Sequence, residues 1–149
     1  MRGHSRGVSC LCVRKPILVS GSSDNTIRIW NMETELCVRV LEGHECVVRC
    51  VMFDSDHIVS GAYDQTIRIW DLQNALDSRS ESSQLCIRTL RQHKNRIFGL
   101  QFEPYKIVSC SLDATILIWD FAGSNPEASH CDNFDDDKSD TSGHISSLL

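Results

Sequence analysis

The chain has 149 residues, 41% of them hydrophobic and 23% charged, with a net charge of −5. That is the size of one ordinary domain, with enough apolar content for a core. Residues 1–120 carry 14 Lys+Arg against 14 Asp+Glu, whereas residues 121–149 carry Lys138 against six acids (Glu127, Asp132, Asp135, Asp136, Asp137 and Asp140), so the whole −5 lies there. This balance disfavours a basic nucleic-acid-binding protein, and no apolar run is long enough to span a bilayer or to serve as a secretory signal. Eight cysteines (10, 12, 37, 46, 50, 86, 110 and 131) include no C-x-x-C pair. Most fall in apolar strand-like runs, so the expectation is reduced thiols buried as small hydrophobes in a cytoplasmic or nuclear protein, with no metal site, disulfide or cofactor.

Three segments align without a gap: 3–31, 43–71 and 92–120. Each repeats the same four residues at the same spacing, giving His4/Ser20/Asp24/Trp30, His44/Ser60/Asp64/Trp70 and His93/Ser109/Asp113/Trp119. In chain order, Leu36–Leu41 reads as an outer strand closing the first unit. The second unit opens on a strand in which Val47, Arg49, Val51 and Phe53 share one face. It turns at Asp54-Ser55-Asp56, continues through the buried run Ile58-Val59-Ser60, turns again at Tyr63-Asp64-Gln65 and alternates over Thr66–Trp70. A loop insertion at 72–83 precedes a second outer strand, Leu85–Leu90. Four short antiparallel strands in about 40 residues, punctuated by GH and WD, are the signature of a β-propeller blade. The chain is therefore expected to be all-β, with a partial WD-repeat propeller over 1–120. Its blades are 3–41, 43–90 and 92–120, three of a presumed seven, and the last lacks its outer strand.

The quartets are expected to be structural: Asp accepts from His, His bonds Ser, and Ser bonds the Trp indole. A Ser-His-Asp catalytic triad needs one exposed nucleophile with an oxyanion hole, whereas here the set recurs in three equivalent scaffold positions, so no enzyme is expected. Function then belongs to the loops. Two regions of each blade converge on one mouth of the channel. The strand starts supply Arg6, Gly7 and Ser9, then Val47 and Arg49, then Arg96 and Phe98; the residues before Asp are Ser23, Tyr63 and Leu112. Each blade thus offers one arginine, read as the same blade position, and three converging guanidiniums suit an anionic ligand.

The runs VSGSSDNTIRIW, CVRVLEGHECVVRCVMFDSDHIVSGAYDQTIRIWDL, ALD, LCIRTL and ILIWDF resemble the last three repeats of the beta-TrCP (Slimb-type) F-box/WD-repeat family. That resemblance implies a non-catalytic substrate receptor of an SCF ubiquitin ligase, whose F-box binds Skp1 and cullin and whose propeller holds a doubly phosphorylated DSGxxS degron. By the same resemblance Arg6, Arg49 and Arg96 contact phosphates and the acidic side chain, Ser23 and Tyr63 hydrogen-bond phosphate or peptide, and Gly7, Ser9 and Val47 line the cleft. Val47 and Ser9 depart from the family's usual Leu and Ala, which alters pocket shape. The F-box and first four repeats of the family pattern have no counterpart in these runs. The other reading is a generic WD-repeat interaction scaffold without phospho-recognition. Residues 121–149 read as a disordered acidic tail, in which Thr141-Ser142-Gly143-His144-Ile145-Ser146 approaches the degron pattern and invites pseudosubstrate binding once phosphorylated.

Overall fold

The computed structural model describes residues 1–81 and 84–121. Among the described residues, eleven strands and one short helix follow one another as β1 (Val8–Arg14), β2 (Ile17–Ser22), β3 (Ile27–Asn31), β4 (Cys37–Leu41), β5 (Val48–Phe53), β6 (His57–Ala62), β7 (Ile67–Asp71), α1 (Leu72–Leu76), β8 (Cys86–Leu90), β9 (Ile97–Glu103), β10 (Lys106–Ser111) and β11 (Ile116–Asp120). They form three antiparallel sheets in plain meander order: β1-β2-β3-β4, β5-β6-β7-β8 and, among the described residues, a three-stranded β9-β10-β11. The first strands β1, β5 and β9 lie side by side, so the sheets stand like blades around a common inner edge. This is a partial β-propeller of three blades.

The core sits between the blades. Val19, Ile27, Ile29 and Leu41 of the first blade meet Val48, Val51, Phe53, Ile58 and Trp70 of the second. Val59 and Ile67 of the second meet Ile97, Leu100 and Ile107 of the third. Each fully buried aliphatic side chain contributes about 1.5–3 kcal/mol, and every blade needs a neighbour to receive it.

The insertion expected to be a loop contains α1. Asp71 caps it, accepting from Asn74 N–H at 2.8 Å, and Leu72 and Ala75 are buried against the core. Its carbonyl end is held by the first blade, where Arg39 donates to Ala75 O at 3.0 Å and to Asp77 O. Ser82, Ser83 and all of the acidic segment beyond Phe121, with the 141–146 motif, lie outside the described residues.

A second departure lies on the inner strands. β-bulges interrupt the register between Val8 and Cys10, between Val48 and Cys50, and beside Cys110/Ser111 where Ile97 and Gly99 flank Phe98. A bulge inserts one residue and shifts the alternation. Val48, not Arg49, therefore joins Val51 and Phe53 in the core, which corrects the single-face reading of Val47, Arg49, Val51 and Phe53. The seven described cysteines are free thiols, but none is fully buried, and Cys46 and Cys110 are exposed. Cys10, Cys12, Cys50 and Cys86 are partly buried and pack against the core clusters.

Candidate functional site

The quartets order themselves into one repeated chain of hydrogen bonds. His4, His44 and His93 place Nδ1 2.9, 2.7 and 3.0 Å from Oδ2 of Asp24, Asp64 and Asp113. Each Nε2 lies 2.8 Å from Oγ of Ser20, Ser60 or Ser109. The indoles of Trp30, Trp70 and Trp119 donate to those same oxygens at 2.8, 2.9 and 3.0 Å. One direction of donation satisfies every atom: indole N–H to serine oxygen, serine O–H to Nε2, and Nδ1–H to carboxylate. The serine side chains are at most 4% exposed, so no hydroxyl stands ready to attack a substrate.

The carboxylates also hold the β2–β3, β6–β7 and β10–β11 turns. In blade 1, Asp24 accepts from Thr26 N–H and O–H and from Ser5 N–H. The residue after each Asp takes positive φ: Asn25 68°, Gln65 70° and Ala114 66°. Burial alone would raise the pKa of Asp24 and Asp64; bonds from Thr26, Ser5 and His4, and from His44, Thr66 and Glu45 N–H, outweigh it and hold both well below the usual carboxylate value. Asp113 is lowered chiefly by the Thr115 hydroxyl.

Backbone bonds next to these turns define equivalent positions at the mouth. Ser23, Tyr63 and Leu112 N–H donate to the carbonyls of Gly7, Val47 and Arg96 at 2.9, 3.0 and 2.9 Å. Gly7, Val47 and Arg96 are therefore one position, and the bulge residues Ser9, Arg49 and Phe98 are another. The three arginines consequently do not share a blade position: Arg6 precedes the first, Arg96 occupies it, and Arg49 is a bulge residue. The equal spacing of the quartets does not extend to these arginines, because a strand start with a bulge carries several outward positions.

Within this rim the structure joins some of the expected residues by contact. The Arg96 guanidinium lies over the Tyr63 ring at 5.1 Å, and Tyr63 meets Phe98 edge-on with centroids 5.5 Å apart. Arg49 is half-buried in β5, close enough to act on the thiols of Cys10 and Cys50. Burial pushes both thiols up, Cys50 to about 12, so they remain neutral near pH 7. Arg6 is exposed in the turn before β1, Ser23 and Val47 are half-buried, and a Cβ at Gly7 would meet nothing within 4 Å, so open space faces that backbone. Ser9 is committed elsewhere: its hydroxyl is shared between Gly21 O at 3.1 Å and Val48 O, tying blade 1 to blade 2. Phe98 and Leu112, at the equivalent positions of the third blade, are 39% and 55% exposed. Among the described residues no group of His, Cys, Asp and Glu is arranged to hold a metal ion, and no helix is long and apolar enough to cross a membrane.

Comparison with known proteins bears on the same residues. The family described as WD domain, G-beta repeat matches residues 1–31, 35–71 and 84–120. Over 41 residues the chain is 54% identical to the "Probable E3 ubiquitin ligase complex SCF subunit scon-2" of Neurospora crassa, covering 28% of this chain and 6% of that protein. Over 40 residues it is 50% identical to the "Probable E3 ubiquitin ligase complex SCF subunit sconB" of Talaromyces marneffei, covering 27% of this chain and 6% of that protein. It is 41% identical over 44 residues to "Coatomer subunit beta'-2" of Arabidopsis thaliana, covering 27% and 5%. The chain thus spans a small part of the curated relatives it matches. Among solved structures, the computationally designed Ika8 protein is similar with a TM-score of 0.67 and 31% identity, over 79% of this chain and 34% of that one.

Proposed function

The chain belongs to the WD-repeat family, and from that premise we propose that its mouth is part of the substrate-recognition surface of an SCF-type ubiquitin ligase receptor, holding a peptide phosphorylated on both serines of a DSGxxS motif. The observation that carries this reading is the pair Arg49, in β5, and Arg96, just before the neighbouring inner strand β9, with the second guanidinium stacked on Tyr63. Arg96 is exposed, and stacking restricts a guanidinium whose planar set of N–H donors can bind phosphate oxygens in pairs. These charges stand in a body of 1–120 whose formal charge sums to zero, so the cationic rim is local. The likeness to scon-2 and sconB supports the ligase assignment. Under this reading Arg6, Arg49 and Arg96 meet phosphate or acidic groups, Ser23 and Tyr63 donate hydrogen bonds, and Gly7 and Val47 line the cleft; Ser9 shapes it through its blade-to-blade bond. No residue of this chain is assigned to Skp1 or cullin contact.

Fluorescence anisotropy with a labelled DSGxxS peptide, with and without its two phosphates, tests the reading. The phosphorylated form is expected to bind at least tenfold tighter. Arg49→Ala and Arg96→Ala should each weaken it by about 1.5–3 kcal/mol, the range for hydrogen bonds to charged groups. Equal affinity of the two peptides overturns the proposal. That outcome would leave the second reading, a general WD-repeat interaction scaffold, which the comparable likeness to a coatomer subunit supports.

A further inference from the structure

The two grooves between neighbouring blades are built from equivalent residues, and only one of them is filled. Ile29 of β3 pairs with Arg39 of β4, as Ile69 of β7 pairs with Arg88 of β8. Across the first groove stand Phe53 and Leu72, and across the second their counterparts Phe102 and Phe121. The chain leaves blades 2 and 3 alike, with Leu72 N–H bonded to Asp56 O and Phe121 N–H to Tyr105 O, each at 2.8 Å. In the first groove α1 follows. Leu72 and Ala75 are buried, Leu76 packs beside them, and Arg39 donates to the carbonyl oxygens of Ala75 and Asp77. Ile29, Phe53 and Leu72 are accordingly 0%, 3% and 4% exposed.

In the second groove Ile69, Phe102 and Phe121 are only half-buried, and Arg88 is exposed. A cavity of about 690 Å³ remains there, walled by Ile69, Ile87, Arg88, Phe102, Tyr105 and Phe121. Asp54 and Asp56 on its border accept hydrogen bonds within their own turn. Arg88 lies over the Phe121 ring at 5.7 Å and has no acceptor among the described residues, and none of these residues takes the places of Ala75 and Leu76. Nor does the sequence after Phe121 repeat that turn. Gly123 and Pro126 fall at the places of Asn74 and Asp77, and Ser124 and Asn125 at those of Ala75 and Leu76. Glycine and proline oppose a helix, and two polar side chains offer no apolar face.

We propose that the groove between blades 2 and 3 is a docking site for a short amphipathic helix of a partner protein, apolar at i, i+3 and i+4 as α1 is, whose C-terminal carbonyl oxygens accept from Arg88. The last turn of a helix leaves carbonyls unsatisfied and carries the negative end of its dipole, which an unpaired guanidinium complements. The half-exposed Ile69, Phe102 and Phe121 supply the apolar floor, and covering them favours binding. The groove opens beside the β5–β6 and β9–β10 turns, at the strand ends remote from the mouth, so the inference does not rest on the phosphopeptide reading.

The probe is a fluorescein-labelled peptide with the α1 sequence DLQNALDS (71–78), held helical by a hydrocarbon staple joining positions 73 and 77, and its binding to the full chain is read by anisotropy. Arg88→Ala is expected to weaken binding by about tenfold, the scale of a hydrogen bond to a charged group. Ile87→Glu, which sets a carboxylate against the helix end, should weaken it at least as much. The same stapled peptide with serine at both leucine positions should not bind. Thermal unfolding of both variants confirms that these exposed substitutions leave the fold intact, and their affinity for a DSGxxS phosphopeptide should be unchanged. The inference is overturned if the α1 peptide does not bind, if the serine peptide binds equally well, or if neither variant weakens binding. Binding lost in Arg39→Ala but kept in Arg88→Ala overturns it as well, because the peptide would then be replacing α1 in its own groove. So does a tenfold or larger gain on deleting residues 122–149, which would make the chain itself the occupant.

Discussion

Blades 1 and 2 differ from blade 3 in a set of residues that change together. In the first two, Arg28 and Arg68 lie over Trp30 and Trp70 at 6.0 and 5.9 Å. Their Nη1 atoms reach Cys37 and Cys86 on the outer strands at 3.9 and 3.7 Å. The same guanidiniums occupy the space above the glycine before each His: a Cβ on Gly3 or Gly43 would come within 2.5 or 2.8 Å of them. In blade 3 the arginine is Leu117, the glycine is Gln92, and no outer strand is described. Trp30 and Trp70 are 4% and 1% exposed, whereas Trp119 is only half-buried. The glycine of the GH pair is thus demanded by a stacked arginine that an outer strand covers; where the arginine goes, a side chain is admitted. The inner strands show a parallel exchange, with Cys10 opposite Gly21, Cys50 opposite Gly61, but Gly99 opposite Cys110.

This contrast can be broken most directly at the tryptophans. Trp70→Ala is expected to cost about 3–5 kcal/mol in urea unfolding, the usual loss for a fully buried indole, and Trp119→Ala at least 1 kcal/mol less by the same scale. Equal losses would show that the open blade is as well packed as the closed one. Next in size, Gly43→Ala meets both the Arg68 guanidinium and a backbone φ of +152°, and should cost about 1–3 kcal/mol. Adding Arg68→Leu should return the steric share, while Gln92→Gly in blade 3 should cost only about 0.5–1 kcal/mol of backbone entropy. A neutral Gly43→Ala would remove the argument for the stack.

The smallest effect near neutral pH concerns the turn carboxylates. Asp24, Asp64 and Asp113 are all held below their ordinary value of 3.8. A carboxylate whose folded pKa is depressed adds stability above its unfolded pKa and loses it as pH falls toward the folded one. Unfolding free energy should therefore stay flat from these groups between pH 7 and 5 and drop below about pH 4. Asp64→Asn, in the enclosed blade, should blunt that drop more than Asp113→Asn. Stability that rises on acidification through pH 4 would contradict the hydrogen-bond assignment.

Much of the fold was legible because the blade's chemistry is written at fixed spacing. Asp, His, Ser and Trp must meet within hydrogen-bond distance at one end of a three-strand meander, and only one register allows it. The turns were legible for the same reason, as Asp54 shows: its Oδ1 accepts from Asp56 and His57 N–H at 2.8 and 2.7 Å. The strand starts were less so. A bulge has no residue signature here, since Ser9, Arg49 and Phe98 have nothing in common, and alternation carried through it puts Arg49 on the wrong face. Helix α1 was hidden by its length: five residues hold no hydrophobic period, and Leu72 and Ala75 are recognised as core only against their neighbours.

By itself the sequence determined three blades, their order and the hydrogen-bonded quartets, because each follows from local spacing. Tertiary structure alone decided which of those residues meet. It set Arg96 on Tyr63, spent the Ser9 hydroxyl on Val48, brought Phe98 against Tyr63 and left none of the described cysteines fully buried. Those outcomes depend on how one blade's bulged edge lies against the next, a meeting of residues 33 or more apart in the chain that no local pattern encodes.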